Sequence, residues 1–294
     1  MIRWPSCVGS TACWLHEAWR ARARPIGHAA PMCLILVGID PRPGSRLLVL
    51  ANRDENHARA SAAAAPWAED ARVLGGRDLV AGGTWLAVRN DGRFAAITNV
   101  RCGPPKPAPR SRGKLVRDFV LGDMAANDYL ATLHTQIDQY SPFNLIVGDV
   151  EAVVAFDGVS RQRKTLGAGL HSISNGALAD QWPKMQRIQQ HAEVALARGV
   201  DRAALLALLR DPQVAADIDL PDTGFDLERE RLLSSIFIQG ESYGTRASTL
   251  VEVSSGGEVE VIERRFGPGA SDLGQDAWRV ADAQTPWLHR TNEG

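Results

Sequence analysis

Six residues of types used in amide hydrolysis stand at or next to the ends of strands predicted from this sequence. They are a cysteine, two arginines, an aspartate and two asparagines: Cys33, Arg53, Asp54, Asn99, Asn175 and Arg246. Strand ends allow a rigid scaffold to aim side chains at a common point. Hydrophobic periodicity does not show that these strand ends converge, so their convergence is a prediction for the tertiary structure.

A cysteine thiol beside an arginine and an amine can cleave an amide without a metal or cofactor. A free thiol has a pKa of about 8.5 and is largely protonated at neutral pH, whereas a neighbouring guanidinium favours the thiolate. An N-terminal amine, with a pKa of about 8, can act as general base for the thiol of its own residue. Asparagine amides can donate hydrogen bonds to the oxyanion, and losing one such donor typically costs ~10²–10³ in rate.

Each of these residues also has a structural interpretation, which the sequence leaves open. Cys33 can be a small buried hydrophobic residue at the start of a strand. Arg53 and Asp54 can form an internal ion pair at the end of a strand. Asn99 and Asn175 can be turn residues whose side chains bond their own backbone.

Several other functional classes are disfavoured by motif content and charge. The sequence has no H-E-x-x-H, P-loop or C-x-x-C motif, and its 7 histidines lack metal-ligand spacing. Lys plus Arg total 33 and Asp plus Glu total 34, which argues against nucleic acid as a partner. No apolar run approaches the ~20 residues of a membrane span. The 4 cysteines form no disulfide-like pattern, which predicts a protein of the reducing cytoplasm.

Short apolar runs joined by turn residues predict β-hairpins, with helical spacing between them. The predicted hairpins span 33–51, 84–98 and 247–262, and a further strand pair spans 143–156. Helices are predicted at 115–121 and 129–137, and residues 182–210 are predicted to form two helices separated near Gly199. The Asp91-Gly92 pair is a strong hairpin signal for the second of these. Hairpins interrupted by helices predict an α+β fold, in which antiparallel sheets carry helices on their outer faces.

The chain is predicted to contain one domain, 32–270, flanked by two segments of different character. Residues 1–31 contain three tryptophans without periodicity and then a basic run, in the wrong order for a secretory signal. We interpret them as a non-native or disordered extension upstream of a start at Met32. Residues 271–294 show no periodic pattern and are predicted to form an irregular tail.

A series of short motifs occurs in the order and roughly the spacing of one protein family. The motifs are Cys33, Asn52-Arg-Asp-Glu55, Gly75-Gly-Arg-Asp78, Gly82-Gly-Thr-Trp85, Thr98-Asn-Val-Arg101, Ser111-Arg-Gly113, Phe143-Asn-Leu145 and Trp182-Pro-Lys184. By these motifs the chain resembles the NRDE family, also called the transport and Golgi organisation protein 2 family, over about residues 32–265. That family is similar to the N-terminal-nucleophile (Ntn) hydrolases of the choloylglycine hydrolase and penicillin V acylase type.

The resemblance implies a four-layer αββα sandwich and a cysteine exposed by removal of the residue before it. It implies the following roles: Cys33 as nucleophile, Arg53 beside its sulfur, Asp54 holding the terminal amine, Asn99 and Asn175 lining the oxyanion site, and Arg246 as the late arginine. The chain departs from those hydrolases at one point, because their aspartate falls three residues after the arginine. Here Arg53 and Asp54 are adjacent.

Two functional hypotheses follow from the resemblance. The first is an N-terminal-cysteine amidohydrolase that cleaves a small linear amide through an acyl-enzyme. The second is a non-catalytic binding or trafficking protein for haem or a lipid-like amphipathic ligand, as implied by eukaryotic relatives linked to Golgi organisation and haem transport. The sequence has no C-x-x-C-H haem motif, and no histidine stands out as an axial ligand.

Overall fold

The computed structural model of the chain describes residues 32–101 and 108–290. The predicted extension at 1–31 lies outside the described residues. Within them the chain forms two seven-stranded sheets, sheet 1 and sheet 2, in which every neighbouring pair of strands is antiparallel.

Sheet 1 contains the first two strands of the described chain and most of its C-terminal part. In spatial order its strands are β10 (Gly169–Ile173), β1 (Met32–Arg42), β2 (Ser45–Asn56), β11 (Tyr243–Ser254), β12 (Val259–Phe266), β13 (Asp272–Val280) and β14 (Leu288–Arg290). The hairpins β1–β2 and β11–β12 confirm two of the sequence predictions. They lie side by side, because β2 pairs with β11.

Sheet 2 is a meander in which the strands follow one another in chain order. Its strands are β3 (Ser61–Pro66), β4 (Val73–Asp78), β5 (Leu86–Arg89), β6 (Phe94–Asn99), β7 (Phe143–Gly148), β8 (Val153–Asp157) and β9 (Arg163–Leu166). The β5–β6 hairpin turns at Asn90-Asp91-Gly92, as predicted. The β7–β8 pair is also confirmed.

Helices cover the outer face of each sheet and complete four layers. The helices are α1 (Gly113–Leu121) and α2 (Ala126–Leu133) on sheet 2, α3 (Pro183–Ala197) and α4 (Arg202–Ala207) on sheet 1, and α5 (Leu227–Leu233) near the end of β11. The predicted αββα order is therefore confirmed. No helix in the described part of the chain is both long enough and apolar enough to cross a membrane.

The central strands of the two sheets are buried on both faces, which explains their continuous apolar runs. In β2, Leu47 and Val49 pack between the sheets, while Leu48 and Leu50 pack against the helices. Successive side chains of a strand point to opposite faces. The two faces of β2 therefore belong to two different hydrophobic clusters, and each must be apolar.

The predicted irregular tail at 271–294 is wrong for the residues that the structure describes. Strands β13 and β14 extend sheet 1 as far as Arg290. Trp278 packs against the core between the sheets, and Trp287 is buried in it. The start of β13 is exposed at the edge, so it has no alternating apolar pattern; only pairing with β12 defines it as a strand. The domain therefore extends beyond the predicted boundary at 270.

Candidate active site

A cavity of about 280 Å³ opens between the two sheets at the end where β1 begins. Four of the six predicted site residues line it: Cys33, Arg53, Asn99 and Arg246. Trp85, Ile97 and Phe266 contribute apolar wall. The structure thus brings together residues that are far apart in the sequence, and it places them beside the only described free thiol.

The register of β1 and β2 places the thiol beside a guanidinium. Cys33 is directly opposite Arg53, and Arg53 is opposite Ala247 of β11. All three side chains face sheet 2, as Ile35 and Val37 do in the same strand as the cysteine. Cys33 is therefore both a buried residue, 4 % exposed, and part of the cavity wall.

Burial disfavours the thiolate form of Cys33 in the chain that retains residue 32. Burial, together with the carboxylate of Asp54, raises the pKa of Cys33 to about 12. Arg53 and a hydrogen bond involving the backbone of Asp54 act in the opposite direction but are outweighed. At neutral pH the sulfur is therefore protonated, and nucleophilic attack requires a base that removes this proton.

Asp54 lies on the opposite face of β2 from Arg53, so the two do not form the ion pair considered above. Its Oδ1 accepts a hydrogen bond of 2.6 Å from Thr245 Oγ1. Its Oδ2 is buried and has no hydrogen-bond partner among the described residues. In the β1–β2 register Asp54 stands opposite residue 32. The bare carboxylate oxygen therefore lies next to the peptide that precedes Cys33.

A buried lysine, Lys184, lies near this carboxylate. The pKa of each group is shifted in the direction that favours its neutral form. Burial raises the pKa of Asp54 to about 6, although Lys184 lowers it. Burial lowers the pKa of Lys184 to about 8, although Asp54 raises it. Lys184 Nζ donates to the carbonyl of Leu233 at 3.1 Å and makes no ion pair within the part of the chain that the structure describes. Two buried ionisable groups without a direct contact are costly to the fold.

The two asparagines have different surroundings. Asn99, at the end of β6, lines the cavity. Asn175 is fully buried behind it and donates from Nδ2 to the carbonyl of Asn99 at 2.8 Å. Its Oδ1 accepts from Ser174 Oγ, which also donates to the carbonyl of Cys33 at 3.0 Å. Asn175 and Ser174 therefore join the cysteine strand of sheet 1 to Asn99 of sheet 2.

A further asparagine, which sequence analysis did not assign to the site, supports this junction. Asn144 Nδ2 donates to the carbonyls of Ser174 at 3.1 Å and Gly176 at 2.8 Å. We expect Asn144→Ala to lower the free energy of unfolding by about 1–3 kcal/mol, because the buried carbonyl of Gly176 loses this donor and that of Ser174 keeps only the hydroxyl of Thr98. Urea denaturation measures this, with the exposed Asn127→Ala in α2 as a control that should stay within about 0.5 kcal/mol.

Arg246 occupies a β-bulge. Thr245 pairs with Asp54 and Ala247 pairs with Arg53, so Arg246 is the extra residue between two paired positions. Its Nη1 donates to the carbonyl of Arg59, and its buried Nε has no partner among the described residues. A bulge redirects a side chain, and here it turns Arg246 into the cavity. Burial lowers its pKa, and the charge of Arg53 lowers it further.

Three charged residues near the thiol were present in the quoted motifs but were not assigned a role. Glu55 follows Asp54 and lines the cavity, as does Arg112 of the Ser111-Arg-Gly113 motif. Lys184 ends the Trp182-Pro-Lys184 motif. The signal that could have identified them was their place in the motifs, because neither periodicity nor strand ends mark them. No group of three or more His, Cys, Asp or Glu side chains within 32–101 and 108–290 is arranged to hold a metal.

Comparison with known proteins identifies relatives over most of the chain. The family model "Transport and Golgi organisation 2" matches residues 32–268. The Bos taurus Transport and Golgi organization protein 2 homolog is 33 % identical over 270 residues, which cover 84 % of this chain and 96 % of that protein. The Homo sapiens homolog is 31 % identical over 255 residues, covering 79 % and 92 %. Among solved structures, the Caenorhabditis elegans ortholog of N-acylethanolamine-hydrolyzing acid amidase matches with a TM-score of 0.41 and 13 % identity, covering 74 % and 92 %.

Proposed function

The chain belongs to the Transport and Golgi organisation 2 family, and we propose that, once processed to begin at Cys33, it hydrolyses a small linear amide through an acyl-enzyme. The observation that carries this proposal is the unpartnered, buried Oδ2 of Asp54 opposite residue 32. Removal of the residues before Cys33 creates an α-amine next to this oxygen. The carboxylate then gains the hydrogen-bond donor that it lacks in the longer chain.

The proposed reaction begins with the α-amine of Cys33 taking the proton from its own Sγ. The sulfur attacks the amide carbon, a C–S bond forms, and the negative charge moves to the carbonyl oxygen. Asn99 lines the cavity where this oxyanion forms, and Asn175 holds the backbone of Asn99 in place. The C–N bond then breaks, and the departing amine takes the proton from the α-ammonium. Water cleaves the thioester by the same route and releases a carboxylic acid.

Asp54 and Arg53 act on opposite sides of the nucleophile in this scheme. Asp54 holds the α-amine and sets its direction, while Arg53, across the strand from the sulfur, stabilises the thiolate and the oxyanion. The raised pKa of the Cys33 thiol in the longer chain also supports the scheme, since it predicts that the enzyme is inactive before processing.

Expression from Met1 and from Met32, followed by intact-mass analysis, tests the proposal. We expect the chain started at Met32 to begin at Cys33 and to react with iodoacetamide at pH 7.5. The chain that retains residue 32 is expected to react only at strongly alkaline pH, because burial keeps its thiol protonated. The processed chain is then assayed for release of amine from linear amides. A stable, active chain that keeps residue 32 would refute the mechanism.

A binding role for an amphipathic ligand is a second candidate, favoured by one feature of the cavity. Trp85, Ile97 and Phe266 provide an apolar wall facing the arginines. Titration of the full chain with haem, followed by its Soret absorption, distinguishes the two functions. A saturable shift unaffected by Cys33→Ala would support the binding role, and its absence would leave the hydrolase as the function of this cavity.

A further inference from the structure

Positive charge is in excess in the cavity. Six arginines and three acidic residues line it: Arg53, Arg59, Arg77, Arg112, Arg246 and Arg265, with Glu55, Asp78 and Glu263. Asp78 is already paired with Arg59 at 2.7 Å. Glu263 accepts the backbone N–H of Ala64, and burial raises its pKa while the nearby Arg265 lowers it. Glu55 is the acidic residue of the lining that lies beside Arg53, the residue opposite Cys33.

The arginines fall into two groups according to their partners. Arg59, Arg77 and Arg265 each form an ion pair with a neighbouring carboxylate, from Asp78, Glu69 and Asp276 respectively. These three residues are neutralised by the protein itself, so they leave no charge for a ligand. The excess comes from the other three arginines.

Arg53, Arg112 and Arg246 have no hydrogen bond to a carboxylate within the described ranges. Arg112 Nη1 donates to the carbonyl of Pro142 at 2.9 Å, and Arg246 donates to backbone carbonyls. Arg53 has only Glu55 nearby, at 3.7 Å, and its side chain is 10 % exposed. Buried or half-buried guanidinium groups that bond only neutral carbonyls keep their positive charge. Their fork of donors matches a carboxylate.

The backbone holds Arg112 at the cavity. Gly113, which begins α1, lies so close to Gly83 that a Cβ added at Gly83 would be 2.5 Å from the carbonyl carbon of Gly113. The N–H of Thr84 also donates to the carbonyl of Gly113 at 3.2 Å. This contact fixes the residue before the helix. Burial lowers the pKa of Arg112 to about 10, while the nearby Cys33 raises it.

Three arginines against one carboxylate leave two positive charges beside the nucleophile. One is matched by the oxyanion of the tetrahedral intermediate. A neutral amide carries no negative charge that could match the second positive charge. Because Arg53 is only one strand spacing, about 4.8 Å, from Cys33, the missing negative charge must lie close to the scissile bond. In an N-acyl α-amino acid the carboxylate carbon is roughly 3–4 Å from the amide carbonyl carbon.

We propose that Arg112, together with Arg53 and Arg246, binds a carboxylate of the substrate, so that the cavity takes N-acyl α-amino acids in preference to neutral amides. This inference rests on the proposed hydrolase function and specifies its substrate class. The residue without an assigned role until now is Arg112, which acts in specificity.

Two probes of nearly equal size test the proposal on the processed full chain. N-hexanoylglycine carries the carboxylate, and N-hexanoylethanolamine has a hydroxyl in its place. We expect kcat/KM to favour the glycine conjugate by ten- to a hundred-fold, as for a charged hydrogen bond. Arg112→Gln should reduce this ratio by a similar factor through a higher KM for the glycine conjugate. Arg112→Lys should restore part of it.

Arg77→Gln is the matched control, because Arg77 also lines the cavity but is paired with Glu69 and lies over Trp67. It should leave the ratio unchanged. Equal hydrolysis of both probes, or a ratio unaffected by Arg112→Gln, would overturn the inference and leave the hydrolase function standing.

Binding to the full-length Cys33→Ala chain separates failure of this inference from failure of the hydrolase. Isothermal titration with N-hexanoylglycine needs no turnover, and we expect tighter binding than for N-hexanoylethanolamine. If the wild-type chain hydrolyses neither probe but this preference is present and is lost in Arg112→Gln, the hydrolase fails and the carboxylate site stands. If neither probe is cleaved and the glycine conjugate is not bound, both proposals fail.

Discussion

Cys33→Ala is expected to lower amide hydrolysis by the processed chain by at least ~10⁴-fold, because loss of a nucleophile removes the covalent route entirely. Alanine keeps the strand, the carboxylate of Asp54 and the terminal amine, and it deletes only the sulfur. The measurement is the initial rate of amine release from N-hexanoylglycine and N-hexanoylethanolamine, with intact mass confirming that each variant begins at residue 33.

Two further variants make this result specific. An alanine inserted between residues 32 and 33 keeps the thiol but displaces it from the new terminal amine, and we expect it to be equally inactive. Cys102→Ala removes another thiol of the family region, and we expect it to change the rate by less than about twofold because Cys102 has no part in the proposed reaction. An active insertion variant would show that the α-amine is not the base.

Asp54→Asn is expected to stabilise the unprocessed chain while disabling the processed one. The buried Oδ2 of Asp54 has no partner in the described chain, and burial raises the pKa of this carboxyl to about 6. Removing the charge should raise the free energy of unfolding at pH 7.5 by up to about 3 kcal/mol, since one unit of pKa corresponds to ~1.4 kcal/mol. Turnover of the processed chain should fall by ~10²–10³ because its amine is no longer held.

The pH dependence of stability gives this prediction a definite sign. A carboxyl whose pKa is higher in the folded than in the unfolded state binds its proton more tightly when folded. The wild-type chain therefore loses stability as pH rises from about 4, the unfolded value, to above about 6, the folded value. The asparagine variant has no proton to lose at this position. The difference between the two chains should be near zero at pH 4 and largest above pH 6.5.

Urea denaturation of the chain expressed from Met1, at pH 4 and pH 7.5, measures this difference. Asp157→Asn is the control: Asp157 is also buried, but its Oδ1 accepts the N–H groups of Val159 and Ser160, and asparagine keeps that oxygen. It should change stability by less than about 1 kcal/mol and leave turnover intact. A loss of stability in Asp54→Asn at pH 7.5 would contradict this prediction. It would mean that the attraction between Lys184 and the carboxylate of Asp54 outweighs the cost of burying that carboxylate.

Local pattern predicted several of the hairpins and helices around the site, but not the β3–β4 hairpin or α5. The apolar runs on either side of Asp91-Gly92 predict β5–β6, and those on either side of 254–257 predict β11–β12, because a tight turn and its strands are encoded within some twenty residues. Strand β13 was missed for the converse reason. It lies outside β12 near the edge of the sheet, its first residues are exposed, and only pairing with a distant segment makes it a strand.

The residue types of the site, and their positions at strand ends, were determined by the sequence alone. Cys33, Arg53 and Asn99 come together because strands of two sheets end at one cavity. Alternation along β2 is also a local property, and it separates Arg53 from Asp54, which lie on opposite faces.

Only the tertiary structure decided which groups are left without partners. In the part of the chain that the structure describes, the Oδ2 atom of Asp54 is buried without a hydrogen-bond partner because of how strand β11 and the helix that carries Lys184 pack around it. The position of Arg112 depends on the close contact between Gly83 and Gly113. Among the described residues Arg112 has no acidic partner, since Asp78, which lines the same cavity, is paired with Arg59. The burial of a side chain and its hydrogen-bond partners are determined by contacts with segments that are distant in the chain. Sequence periodicity indicates only the face of the strand or helix on which each side chain lies.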